Sequence, residues 1–124
     1  MASDVQGSAA ARGGIVITGA STGIGRECAL YFDRLGYRVF AGVRKASDGE
    51  ALIKNASPRL DPVIIDVTDA RTITEAAAHV EQALADVPLI GLVNNAGIGI
   101  GGPVEFLQAS ELRRQMEVNL MGPV

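Results

Sequence analysis

The sequence predicts an α/β fold: a doubly wound parallel sheet with helices on both faces. Four short β-branched runs alternate with segments of helical length, the pattern of strands joined by crossover helices. The runs also lack apolar–polar alternation, as strands buried on both faces should. Between the first run and the first helical stripe lies "TGASTGIG" (18–25), a turn too rich in glycine to be an ordinary connection.

"GIVIT" (14–18) is the first strand, and from Ile24 an apolar stripe through Cys28, Phe32 and Leu35 predicts a helix, with Gly36 placed for a left-handed cap. "YRVFAGV" (37–43) is the second strand, and "SDGEALIKN" (47–55) a short polar helix stopped by Pro58. "PVIIDV" (62–67) is the third. Asp69 is placed to cap a helix over 70–86, in which Ile73, Ala77, Val80, Leu84 and Val87 mark one face. "LIGLVNNAG" (89–97) is a fourth strand running into a second glycine-rich loop, and a last helix starts near Ser110. Right-handed crossovers predict the strand order 3-2-1-4.

Length and composition suit one globular unit over 14–124 after a flexible tail at 1–13. Apolar residues make up 48% and charged residues 20%, while the net charge of −3 comes with no basic stripe, so no nucleic-acid partner is expected. The single cysteine, Cys28, has no internal partner and fits a buried helical thiol in a reducing compartment. No apolar run reaches the roughly 18 residues of a membrane span, and the N-terminus lacks the basic start and apolar core of a secretory signal. A cytoplasmic protein with no membrane partner is therefore expected. His79, with no second histidine or carboxylate near it in the pattern, reads as a helix-flank residue, and Met116 and Met121 as core fillers. No metal-ligand spacing occurs.

In "TGASTGIG" the glycines precede a helix whose N-terminus offers unpaired N–H groups and partial positive charge, a seat for phosphate. Gly19 suits a tight turn, Gly23 lets backbone approach a ligand, and Gly25 lets the helix pack closely on the sheet. Ser21 and Thr22 can donate to phosphate oxygens, with Ile24 beginning the helix. A tight strand–helix turn with no ligand is the alternative. Asp66 taken alone reads equally as a strand-end carboxylate accepting N–H bonds. Asn119 shares a face with Leu112 and Met116, so its amide needs partners, which local backbone could supply.

Four landmarks in register, "TGASTGIG" (18–25), "DVTD" (66–69), "NNAG" (94–97) and "EVNLMGPV" (117–124), resemble the short-chain dehydrogenase/reductases. The resemblance implies a Rossmann fold, truncated here after the fourth strand and the following helix. It assigns Gly19, Ser21, Thr22, Gly23, Ile24 and Gly25 to the cofactor pyrophosphate, Asp66 with Val67 to the adenine, and Asn95, Ala96 and Gly97 to the adenosine ribose and the cofactor beside the central sheet. Asn119 matches the asparagine that bends its helix and holds a water in the proton relay. Where an acid would select NAD at the end of the second strand, "GVRK" has Val43 followed by Arg44 and Lys45. NADP(H) is therefore expected over NAD(H), with Arg44 on the 2′-phosphate, unless Arg44 is only a solvated cation.

The family's reaction transfers a hydride between the nicotinamide and an alcohol or carbonyl carbon, using a serine and a Tyr-x-x-x-Lys pair. Neither is matched: Tyr31 and Tyr37 are followed at the fourth position by Leu35 and Ala41. The expectation is the cofactor-binding half of an oxidoreductase that forms a homo-oligomer at full length, inactive as it stands. The loop 98–107 offers apolar walls to a small-molecule alcohol or carbonyl substrate. A non-catalytic nucleotide-binding module is the rival. A methyltransferase, a third option, has no reason to contain "NNAG" or "EVNLMGPV".

Overall fold

The computed structural model describes residues 12–124. Its element order is β1 (Gly14–Ile17), α1 (Gly23–Arg34), β2 (Arg38–Val43), α2 (Ala46–Ile53), β3 (Leu60–Ile64), α3 (Ala70–Leu84), β4 (Leu89–Val93), a short 3₁₀ turn (Val104–Phe106), α4 (Ala109–Met116) and a π-helical turn (Glu117–Met121). The strands form one parallel sheet in the order β3-β2-β1-β4, with Ile17 opposite Ala41 on one side and Val93 on the other. The expected order is the one found.

Strand residues divide between the two faces by parity, as the pleat requires. Ile15, Ile17, Val39, Ala41 and Leu60 pack with Ala29, Leu30 and Leu52 from α1 and α2. Phe40, Val63 and Ile65 pack on the other face with Ala76, Val80 and Leu84 from α3, joined by Val16 and Val67. Helices therefore cover both faces of the central strands β1 and β2, whereas Leu89, Ile90 and Leu92 of β4 are exposed, contrary to the burial expected of all four strands, because no described element packs beyond that strand. Asp69 accepts from the Arg71 N–H at 3.0 Å and caps α3 as expected, and Gly36 takes φ +92° beyond the end of α1.

Several details differ from the sequence reading. The buried face of α1 is Gly25, Ala29, Leu30 and Asp33, while Ile24 is 77% exposed and Leu35 is also open. Small Gly25 and Ala29 let the helix approach the sheet; Cys28 and Phe32 of the expected stripe pack against the core while its two ends, Ile24 and Leu35, stay open. Asp33 is a buried charge, 3% exposed. Its carboxylate accepts from the Ser57 N–H and hydroxyl and lies 3.9 Å from the Arg59 Nε, tying the end of α1 to the turn before β3.

Met116 and Met121 are exposed rather than core fillers, because no described element covers the outer side of α4. His79 lies on the helix flank, but a carboxylate does reach it: Asp61 on β3 lies 2.7 Å from Nε2, brought there by the β3–α3 crossover. Of the tail expected at 1–13, residues 1–11 lie outside the described residues. Arg12 and Gly13 rest against the fold: the Arg12 N–H donates to the Gly36 carbonyl at 3.1 Å, and Gly13 O accepts from the Arg38 N–H at 2.9 Å.

Candidate functional site

All four strands send their C-terminal ends to one side, where parallel α/β sheets place their ligands. There the turn 18–25 leaves β1. The Ala20 N–H donates to the Gly42 carbonyl at 2.8 Å, fastening the turn to β2. Gly19 has φ +67°, and a Cβ on it would lie 2.8 Å from Ala96 Cα, so the β4 loop excludes any side chain. Gly25 is excluded in the same way by the Gly19 carbonyl and the Asn95 amide. Gly23 differs: φ is +59°, but a Cβ would meet nothing within 4 Å. Its glycine answers a left-handed backbone and open space in front of the α1 N-terminus, the cradle a phosphate needs.

The β4 loop is stapled to this turn. Asn95 Nδ2 donates to the carbonyls of Thr18 and Gly19 at 3.1 and 3.0 Å. In return the Thr18 hydroxyl accepts from the N–H groups of Asn95 and Ala96 at 3.1 and 3.0 Å. The Asn95 amide is thus committed to positioning two loops. Thr18, which the sequence reading passed over, completes the staple; a hydroxyl at the end of a strand buried on both faces was the available signal, since it must find partners.

Past β3, Asp66 accepts from the Thr68 N–H at 2.9 Å and its hydroxyl at 2.6 Å. These bonds, aided by the positive charge of Arg44, hold the carboxyl below its ordinary value of 3.8, against a smaller upward push from desolvation. The Asp66 N–H donates to the Thr72 hydroxyl at 3.0 Å, locking the loop to the first turn of α3. Val43 is buried, so the residue in the acid's place belongs to the sheet, while Arg44 beyond it is exposed.

One cavity of about 660 Å³ joins these features. Gly19, Ser21, Thr22, Ile24, Arg44, Asp66, Val67, Asn95, Ala96 and Gly97 all line it, together with Gly42, Ile98 and, from α4 and the π turn, Arg114, Glu117 and Val118. Gly23, Gly25 and Asn119 are not among its walls. The sequence reading named no residue of α4 for it, because the cavity side of that helix is set by long-range bonds. A second, apolar cavity of about 580 Å³ between α3, β4 and the chain end carries no comparable polar constellation.

Asn119 lies in the π turn, whose i→i+5 bond runs from the Gly122 N–H to the Glu117 carbonyl at 2.8 Å. Asn119 is exposed as a residue, its apolar neighbours Leu112 and Met116 being exposed too. It nevertheless finds two partners: Oδ1 accepts from the Ile98 N–H and Nδ2 donates to the Ile98 carbonyl, both at 2.8 Å. Among the described residues no helix is long and apolar enough to cross a membrane.

Comparison with known proteins agrees with this geometry. The family model for short chain dehydrogenase matches residues 14–124. Retinol dehydrogenase 5 of Homo sapiens is 40% identical over 98% of this chain, and Dehydrogenase/reductase SDR family member 9 of Bos taurus is 40% identical over 87%. The chain spans 38% and 34% of the lengths of these relatives. Among solved structures, the 3-ketoacyl-(acyl-carrier-protein) reductase of Brucella melitensis, complexed with NADH, superposes with a TM-score of 0.84 at 25% identity, over 91% of this chain and 46% of that one. A short-chain dehydrogenase from Streptomyces avermitilis gives 0.82 at 32% identity, over 92% and 41%. The chain from Gly14 to Val124 belongs to the short-chain dehydrogenases, oxidoreductases with an NAD(P)-binding Rossmann fold.

Proposed function

We propose that this chain is the cofactor-binding part of an oxidoreductase that passes a hydride between NADP(H) and an alcohol or carbonyl carbon. The observation that carries the reading is the single cavity in which the glycine turn, Asp66, Arg44 and the Asn95–Gly97 loop meet. The α1 N-terminus with Gly23, Ser21 and Thr22 would hold the pyrophosphate, Asp66 and Val67 the adenine, and Ala96 and Gly97 the ribose. Asn95 contributes by holding the loop. NADP(H) supplies the hydride when bound.

Preference for NADP(H) rests on the cation at position 44 and on the absence of an acid at Val43. Arg44 is exposed and lines the same cavity as Asp66, which supports placing its guanidinium at the adenosine end. A fluorescence or calorimetric titration tests this: NADPH should bind more tightly than NADH, and the reverse order would overturn the assignment of Arg44.

In this reading Asn119 is a residue of the proton relay, acting from the π turn. The substrate is an alcohol or carbonyl compound with an apolar body, a choice supported by the name of retinol dehydrogenase 5 and by the open side chains of Val104 and Phe106 in the loop before α4. A cytoplasmic homo-oligomer completes the proposal, its compartment resting on the lone cysteine. A non-catalytic nucleotide-binding module is the second reading. The two separate by assay of the longest natural product of the gene: NADPH binding without turnover of any alcohol or carbonyl would favour the module.

A further inference from the structure

The rotation of α4 about its own axis is fixed by two side chains one turn apart. Gln115 Oε1 accepts from the Ile100 N–H at 3.2 Å, and Asn119 clamps both backbone groups of Ile98. At the far end Gly122 packs so closely on Val67 that a Cβ there would lie 2.7 Å from its Cγ2. Successive residues of a helix are about 100° apart. With Gln115 and Asn119 held on the loop after β4, the residues just before each, Arg114 and Val118, turn together into the cavity that also holds Asp66 and Arg44. They form a wall with an apolar foot and a long, flat, charged arm.

We propose that Arg114 determines recognition of the purine base, its guanidinium lying flat against the adenine while Val118 packs at the base's edge. The inference rests on the cofactor reading above and deepens it at one end of the site. In that reading phosphate has its seat at the α1 N-terminus, and Arg44, which lines the same cavity as Asp66, takes the 2′-phosphate. What the adenosine end otherwise lacks is a planar surface: none of the chain's five aromatic residues lines this cavity. A guanidinium supplies such a surface, since it is planar, weakly hydrated and stacks face to face on a π system, whereas an ammonium has no plane to stack.

The test uses ADP-ribose and inorganic pyrophosphate as probes of the 124-residue chain, with Arg114→Ala, Arg114→Lys and Arg114→Tyr. Arg114 is exposed on α4, so all three variants should melt with the parent. ADP-ribose affinity should fall about three- to thirtyfold in the Ala and Lys variants and stay within about threefold in the Tyr variant, which keeps the plane. Pyrophosphate affinity should not change. Equal ADP-ribose affinity in the parent and Arg114→Ala would overturn the proposal, and so would a Lys variant that binds like the parent while Tyr behaves like Ala, since that marks a charge contact. If the parent itself binds no ADP-ribose, the cofactor reading fails and this inference with it; if the parent binds and only the variant pattern is wrong, the cofactor reading stands.

Discussion

Asn95 and Thr18, 77 residues apart in sequence, exchange hydrogen bonds in both directions: the Asn95 amide donates to the Thr18 carbonyl at 3.1 Å, and the Thr18 hydroxyl accepts from the Asn95 N–H at the same distance. The pair joins the glycine turn to the loop after β4, so the two sides of the cavity cannot move apart without breaking it. Asn95→Ala leaves two carbonyls without their donor and should cost about 1–3 kcal/mol. Thr18→Val keeps the shape, removes the shared acceptor and should cost a similar amount, about 1–3 kcal/mol. Because the residues share one network, the double variant should lose less than the sum of the two, measured by urea denaturation.

The two glycines at the start of α1 should respond differently to alanine. At Gly23 the only penalty is a left-handed backbone, so Gly23→Ala should cost about 1–2 kcal/mol in stability. At Gly25 the added methyl meets the Gly19 carbonyl and the Asn95 amide, neither of which can retreat without opening the staple. Gly25→Ala should therefore lower the melting temperature further and remove nucleotide binding. A Gly25→Ala chain that melts with the parent would show that the turn yields.

Much of this was legible in the sequence because it depends on local rules. Unalternating central strands, the Asp69 cap and Gly36 at the helix end all follow from spacing within a few residues. What escaped depends on partners far along the chain. Asp33 is buried because Ser57 and Arg59 come to it, yet in sequence it sits on the same polar flank as Arg34. His79 meets Asp61 only through a crossover. Arg114 faces the cavity because Gln115 and Asn119 are clamped to residues 98–100, and no periodicity within α4 encodes that. Ile24 and Leu35 carry the right spacing for the apolar stripe of α1 but lie open at its two ends, where the close approach allowed by Gly25 and Ala29 leaves them outside the contact.

The Asp66 carboxyl offers a pH signature. Its folded-state value lies below 3.8, chiefly through the Thr68 hydroxyl and N–H, so the folded chain binds fewer protons here than the unfolded chain just below pH 4. The stabilisation is present in full above the unfolded value and is lost as pH falls through the folded one. Thr68→Val removes the first-named cause and should move the Asp66 carboxyl back towards 3.8, read by carbon-detected NMR titration. The variant should also lose part of the parent's stability near neutral pH while the two converge in acid.

Arg44 should separate the two cofactors by charge alone. A guanidinium bonded to a phosphate contributes about 1.5–3 kcal/mol, so Arg44→Ala should weaken NADPH binding by at least about tenfold. NADH, which lacks the 2′-phosphate, should bind within about twofold of the parent. The NADPH deficit should shrink as salt rises, since an exposed pair is screened over roughly 10 Å at 0.1 M. Equal losses for both cofactors would mean that Arg44 supports the loop and does not read the phosphate.

The outer edge of β4 should dominate the solution behaviour of the 124-residue chain. Among the described residues β4 pairs only with β1, and Leu89, Ile90 and Leu92 are each more than half exposed on it. An open parallel edge with large apolar side chains is a template for pairing with another strand. Leu92 also borders the apolar cavity beside α3, so the exposed surface continues from the strand onto the helix face. Sedimentation should therefore show association that grows with concentration, and a melt that does not reverse fully. Leu92→Lys places a charge in the middle of that surface and should shift the chain towards monomer with little loss of stability, because the leucine is 58% exposed. A parent chain that stays monomeric through a sharp, reversible melt would contradict the edge as the cause.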